Sequence, residues 1–380
     1  MALVLLAGAG GWWLRAPAVP GRVARPTVAD ADVDITPPAA RARRDAAVAL
    51  AKMPDDPWSL AESLAGSSSA APDTGAKENC GIADAPQFAQ TDSTEQDSTL
   101  TRGAGPRYLA AQARIDAALR ASGDPLDRVT ADFVNSGDLR TEAGADAAVT
   151  QQAAVSNDPR VVSLGHAVCE RAPSLPGCAA LTAERWAQVD TGNGIPWIEL
   201  LGQAQTRGDA AGVRDAMTHL TAATRFDMRF FDVPGAVVRQ IPEDEQDLAA
   251  GSDLALRATG RAAALVMPAF KPLLDACRNE ADGDPERARQ CVAISDTMYA
   301  HSDTLISYTL SGVVLQQTTG DASRRASIKS ERTLLTAQSP PDRGLSQCGV
   351  VRDLLHELGR KAALGEVEAM REASGNLAAP

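Results

Sequence analysis

The sequence predicts an all-α protein of antiparallel helical hairpins, and three observations predict it. Alanine, the strongest helix former, runs through every segment, while aromatic residues make up only 4% of the chain. Gly-Asp pairs recur at 123–124, 137–138, 208–209, 283–284 and 320–321. Glycine supplies the left-handed residue that ends one helix, and the aspartate that follows caps the next. The intervals also keep a beat: 71 residues from Gly137 to Gly208, 75 from Gly208 to Gly283 and 37 from Gly283 to Gly320. All lie near multiples of 36, with the Pro176-Gly177 turn near the missing mark, so a repeat of one hairpin is the simplest reading.

The elements follow in order. Residues 2–14 (ALVLLAGAGGWWL) are uncharged and end at Arg15. Thirteen residues are short for a full span, which needs about 20. Trp12 and Trp13 beside Arg15 resemble an interfacial belt, so residues 1–15 read as a retained anchor, or alternatively a signal-peptide core or a buried helix. No basic residue precedes them, as if the start lay further upstream. Residues 16–104 are rich in Ala, Pro, Ser, Asp and Thr and read as a linker. One short helix around Asp56-Pro57-Trp58 interrupts it, and Trp58 is placed to dock on the body or to serve as an exposed motif.

A helical domain is expected over 105–375. Tyr108, Ala111, Ile115 and Ala118 form its first apolar stripe. Pro125, Pro159 and Pro285 occupy first helical turns. The acids after Pro242 open a helix at its positive end. Residues 266–279 and 285–300 form a hairpin. Residues 303–317 (DTLISYTLSGVVLQQ) are the most apolar stretch, expected as the central buried helix, with a strand as the alternative. Val351, Leu354, Leu355 and Leu358 mark a last helix running to about Ala373.

Residues 196–209 carry a family likeness. Trp197 and Leu200 stand where the tetratricopeptide repeat has its tryptophan and leucine, and Gly208-Asp209 stands at its turn. Leu201 replaces that family's glycine and Ala204 its tyrosine. The second helix, from Ala210 to Thr224, offers Val213, Ala216, Met217 and Leu220 as its apolar face. Thirty-six residues upstream, Val161, Leu164 and Gly165 answer Trp197, Leu200 and Leu201. Asp190-Thr191-Gly192-Asn193 closes that repeat. Residues 158–227 therefore resemble degenerate tetratricopeptide repeats. The resemblance implies a TPR-like α-solenoid or irregular helical array, and an extended concave face that binds peptides or proteins.

Charge narrows the function. The chain carries a net −12, with residues 1–50 at +2 and the remainder at −14. An acidic body repels phosphate backbones, so no nucleic-acid partner is expected. Lysine occurs five times against 32 arginines, as in a GC-rich genome. The six cysteines stand in no zinc-type spacing and admit 15 pairings as three disulfides. Cys169 and Cys178 flank one turn and Cys277 and Cys291 another. Cys80 and Cys348 pair by elimination, and free buried thiols are the alternative. Arg15, Arg22 and Arg25 after the apolar segment argue for a cytoplasmic body, whereas the cysteines argue for export. The expectation is a bacterial inner-membrane anchor with the body in the periplasm.

No reaction is legible. There is no GxSxG elbow, phosphate loop, dinucleotide fingerprint or calcium-loop spacing, and no cofactor or metal is expected. His356-Glu357 lacks the second histidine of a zinc-protease helix, and Arg207-Gly208-Asp209 is turn punctuation. The chain therefore reads as a non-catalytic protein- or peptide-binding module. Its anchors would be Trp197 with Phe226, Phe230 and Phe231, from a run holding three of the six phenylalanines. Buried packing is the plainer reading of that run. The alternative is a helical-bodied hydrolase of envelope material, with His166, Glu170, Glu184 and His219 as the nearest acid–base candidates. A third possibility is a cytoplasmic adaptor with reduced cysteines.

Overall fold

The computed structural model describes residues 105–135, 142–242, 245–265, 267–278, 284–337 and 348–373. Among them are fifteen α-helices, a short 3₁₀ turn and no strand beyond two isolated bridges. The expected apolar segment, the linker with Trp58, Cys80 and the Gly137-Asp138 turn lie outside the described residues. Among the described residues no helix is long and apolar enough to cross a membrane.

The expected left-handed glycine is found at Gly208 and Gly320, with φ 66° and 76°; Gly123 takes no positive φ, and Gly283 lies outside the described residues. Helices α1 (Pro106–Ala121), α2 (Pro125–Asn135), α3 (Glu142–Val155) and α4 (Pro159–Arg171) come first. The stripe of α1 is Tyr108, Ala111, Ile115 and Leu119 rather than Ala118. Eleven residues complete three turns of about 3.6, so Leu119 and not Ala118 returns to the face of Tyr108. Asp158 caps α4 by accepting from the Arg160 amide at 2.9 Å, with Pro159 in the first turn. After a short α5 (Ala183–Val189), α6 (Ile195–Arg207) and α7 (Ala210–Ala222) make the tightest hairpin. Gly208 takes φ 66°, and Asp209 accepts from the amides of Ala211 and Gly212 at 3.1 and 2.9 Å. Ala216, Met217 and Leu220 are buried as expected.

The second half departs from a simple array. Helices α8 (Asp232–Arg239) and α9 (Glu245–Ala264) turn back, α8 packing on α2 and α9 on α1. Helix α10 (Lys271–Ala276) packs on α6 and α11 (Pro285–Ala300) on α7, and α12 (Leu305–Thr319) and α13 (Ser323–Ala337) stack in turn on α11 and α12. Helix α14 (Cys348–Leu364) then returns to α8 and α9. One core cluster joins both halves, from Ile115 and Phe133 through Ile198 and Met217 to Leu254 and Leu355. Helices α8 and α9 of the same chain thus cover part of α2 and α1.

Two sequence expectations are decided here. The apolar stretch is helix and not strand: Thr304 caps α12 and Tyr308, Ser311 and Val314 are fully buried. Its hydroxyls return into the helix, with Thr318 donating to the Val314 carbonyl at 2.8 Å. The last helix does not run unbroken to Ala373. Gly365, at φ 83°, separates α14 from α15 (Glu366–Ala373).

Two disulfides are present, Cys169–Cys178 and Cys277–Cys291. The first ties α4 to the 3₁₀ turn Cys178–Ala180 rather than to a second helical arm. The second ties the end of α10 to α11. The proposed Cys80–Cys348 pair lies outside the described residues, since Cys80 does.

Gly165 is required by contact. A Cβ there would meet the Ala153 Cβ of α3 at 2.2 Å. Gly165→Ala is expected to lower stability by about 1–3 kcal/mol, read as a lower urea midpoint at unchanged slope. The double variant Cys169→Ser/Cys178→Ser should lose about 2–3 kcal/mol. An unchanged midpoint in either case would contradict the packing or the cross-link described.

Candidate functional site

Four loops meet at one end of the hairpins. They are residues 190–194 between α5 and α6, 223–231 between α7 and α8, 301–304 between α11 and α12, and the α14–α15 break at Gly365. Backbone bonds lace the first three. The Gly194 amide donates to the Arg225 carbonyl at 2.9 Å, and the Phe226 amide donates to the His301 carbonyl at 2.9 Å. Asn193 bridges them: its Oδ1 accepts from the Ile195 and Asp227 amides, and its Nδ2 donates to the Asp227 carbonyl at 2.8 Å.

Beneath this lacing lies Asp190, whose side chain is wholly buried. It accepts from Arg225 and, at 2.9 Å, from the Arg229 guanidinium. Arg229 holds φ 59°, a left-handed conformation that a side chain with a Cβ adopts only under constraint. The constraint is visible. Asp303 accepts from the consecutive amides of Met228 and Arg229 at 2.8 and 2.7 Å. The Asp303 carbonyl in turn accepts from the Glu366 amide at 2.6 Å, and the Glu366 carboxylate accepts from the Leu305 amide at 2.9 Å.

Over the crossing opens a cleft of about 560 Å³. Arg225, Asp227, Arg229, Asp232, His301 and Asp303 line one side, with Lys361 to Gly365 and Arg371 opposite. Burial pushes the Asp303 carboxyl up to about 7; the Asp227 charge adds to this, while the two amides pull the other way. Burial likewise raises Asp232 to about 6 against the pull of Arg229. The Asp232 Oδ2 is buried and makes no hydrogen bond, with the Arg229 guanidinium 3.5 Å away. The cleft thus holds cations fixed in place and carboxyls that stay protonated closer to neutrality than usual.

The aromatic anchors expected from the sequence are not brought together on one exposed surface. Phe226 is fully buried, and its ring sits where any Cβ on Gly194 would clash at 2.3 Å. It packs the crossing from below and has no surface to offer a partner. Phe230 and Phe231 meet edge to face at 4.9 Å; Phe231, only 8% exposed, lines the cleft beneath the Lys361 ammonium. Trp197 stacks on His219 with ring centres 3.7 Å apart. In the run 225–232 charged and aromatic residues alternate: Phe226 turns into the core, while Phe231 and the charged Arg225, Asp227, Arg229 and Asp232 line the cleft. That alternation was the signal available in the sequence; Asp303 and Asp190 carried none.

The acid–base candidates divide as well. Glu184 is exposed on α5 and His219 is engaged with Trp197. His166 and Glu170, one turn apart on α4, are joined by Glu199 of α6, and one ligand atom from each lies within 4.8 Å of the others. His166 Nε2 is 2.7 Å from Glu199 Oε2, and Nδ1 is 2.8 Å from the Leu181 carbonyl. Burial alone would lower the His166 pKa, but the hydrogen bond and charge of Glu199 outweigh it and the net shift is upward.

Asp190→Ala leaves two guanidiniums without their buried acceptor and should cost about 3 kcal/mol or more, measured by urea unfolding. The raised carboxyls make a second prediction. In the folded chain Asp303 and Asp232 keep protons at a pH where their unfolded counterparts have lost them. The folded state then binds more protons between about pH 4 and 7, so their contribution to stability falls as pH rises through that window. Relative to Asp303→Asn, the wild type should lose about 4 kcal/mol across it; a pH-independent difference would show that Asp303 titrates normally. No family model, no curated protein and no solved structure matches this chain, so the roles assigned to these residues rest on geometry and chemistry alone.

Proposed function

We propose that this chain is a non-catalytic binding module that seats a protein or peptide segment in the four-loop cleft, anchored at the bacterial inner membrane with its body in the periplasm. The observation that carries the reading is the pre-organised charge at the cleft. Arg225 and Arg229 are held by buried Asp190, with Asp227 and Asp232 beside them. Guanidiniums already fixed in place lose little freedom when they bind, which favours recognition of a polar, mixed-charge chain. The tetratricopeptide-like features of 158–227 support a peptide ligand, and the two disulfides support an oxidising compartment.

A photo-crosslinking residue at Ala363, exposed on the rim of the cleft, tests the binding reading. In cells it should capture a discrete partner, while the same residue at Val155, 83% exposed on α3, captures none. Equal capture at both positions, or none at Ala363, would count against the cleft as a binding seat.

One observation favours a second reading, a hydrolase of envelope material. Asp303 and Asp232, raised to about 7 and 6, adjoin further carboxylates in an open cleft. A carboxyl that stays protonated near neutrality is what general-acid catalysis requires. On this reading the chain releases soluble fragments from purified murein and Asp303→Asn reduces the rate at least about 100-fold. Absence of release by the wild type would remove it.

A further inference from the structure

We propose that His166, Glu170 and Glu199 form a binding site for a divalent zinc ion, separate from the four-loop cleft, none of whose lining residues they share. A backbone carbonyl can only accept, so the 2.8 Å contact with the Leu181 carbonyl places a hydrogen on Nδ1. That fixes the ring and directs Nε2 at Glu199 Oε2, 2.7 Å away. The Nδ1–H bond to a carbonyl is the outer support that zinc-bound histidines carry, and zinc would take the place of the proton that Nε2 shares with Glu199. Glu199 is supported too, its second oxygen accepting from Gln203 Nε2 at 3.2 Å.

Local structure supplies the third ligand. His166 and Glu170 are four apart on α4 and so project from one face. Glu170 is exposed near the end of that helix, while His166 is 4% exposed. The three ligand atoms lie within 4.8 Å of one another. Tetrahedral zinc at about 2.0–2.2 Å from nitrogen and oxygen spaces its ligands about 3.4 Å apart. Small rotations of two glutamate side chains close the difference, opening the His166–Glu199 contact and drawing Glu170 inward. Three protein ligands of this type leave a fourth position, which here faces solvent past Glu170.

The surroundings fit an ion. Trp186 packs against the His166 ring with centres 5.4 Å apart and supplies an apolar wall. Glu199 comes from α6 and the other two ligands from α4, so zinc would tie two helices that the chain otherwise joins only through α5 and its flanking turns.

The test uses the full disulfide-intact chain, stripped with a chelator and titrated with zinc chloride by calorimetry. One zinc ion per chain is expected to bind. Glu170→Gln and Glu199→Gln should each weaken Kd at least tenfold, while Glu184→Gln leaves it unchanged. Cobalt in place of zinc should give the visible bands of a four- or five-coordinate site, lost in the same two variants. Glu170 is exposed, so its variant keeps the fold, confirmed by an unchanged circular dichroism spectrum. Failure of the wild type to bind zinc at micromolar metal would reduce the cluster to an ion pair and overturn the proposal. Undiminished binding in both glutamate variants would place the metal elsewhere, on Asp215 and His219 for example, and would overturn it equally.

Discussion

The buried carboxylate of Asp190 is the interaction on which the loop end of this molecule depends. Its side chain has no exposed surface, yet it sits at the end of α5, where a helix would ordinarily give way to solvent. Two arginines from a loop more than thirty residues later supply the charge that makes its burial tolerable. Burying one acid requires a cation, and fixing the cation fixes the loop that carries it. Through Arg229 the loop is drawn into its left-handed turn, where Asp303 receives two consecutive amides. Each step satisfies a polar group that the previous step took from water.

The same device recurs along the body. Asp146 of α3 accepts from Arg171 of α4 and Arg261 of α9, and Asp127 of α2 accepts from Arg239 of α8 and from Gln240. Both acids are almost fully buried, and both reach helices more than a hundred residues away. These pairs occur where α8 and α9 fold back onto the first hairpins. The guanidinium is suited to such places, because its planar fork meets two acceptors at once and is more weakly hydrated than an ammonium. The excess of arginine over lysine in composition has this structural use, whatever produced it. Charge pairs and apolar contacts on α1 and α2 are satisfied within the chain.

The cleft and the three-residue cluster on α4 and α6 stand on different supports. The cleft is made of loops held by polar contacts, and its charges are its content. The cluster is carried on helices and walled by Trp186, with the Leu181 carbonyl fixing His166 and Gln203 fixing Glu199. Both place ionisable groups where water is partly excluded, which is where their charge has most effect on a ligand.

The sequence by itself determined the helical class, the turns and two of the cysteine pairs. These are local properties: a glycine able to take positive φ, an aspartate able to cap the next two amides, and cysteines flanking a short turn need no distant neighbour. It also marked residues 225–232 as unusual, but an aromatic run draws attention to burial or binding without saying which. Only the tertiary structure decided that Phe226 lies beneath the crossing while its charged neighbours face a cleft. The roles of Asp190, Asp303 and Glu199 were not legible in advance because nothing in their local sequence separates them from the exposed acids of the chain. Their partners lie 33 to 75 residues away, and only packing brings these charges together.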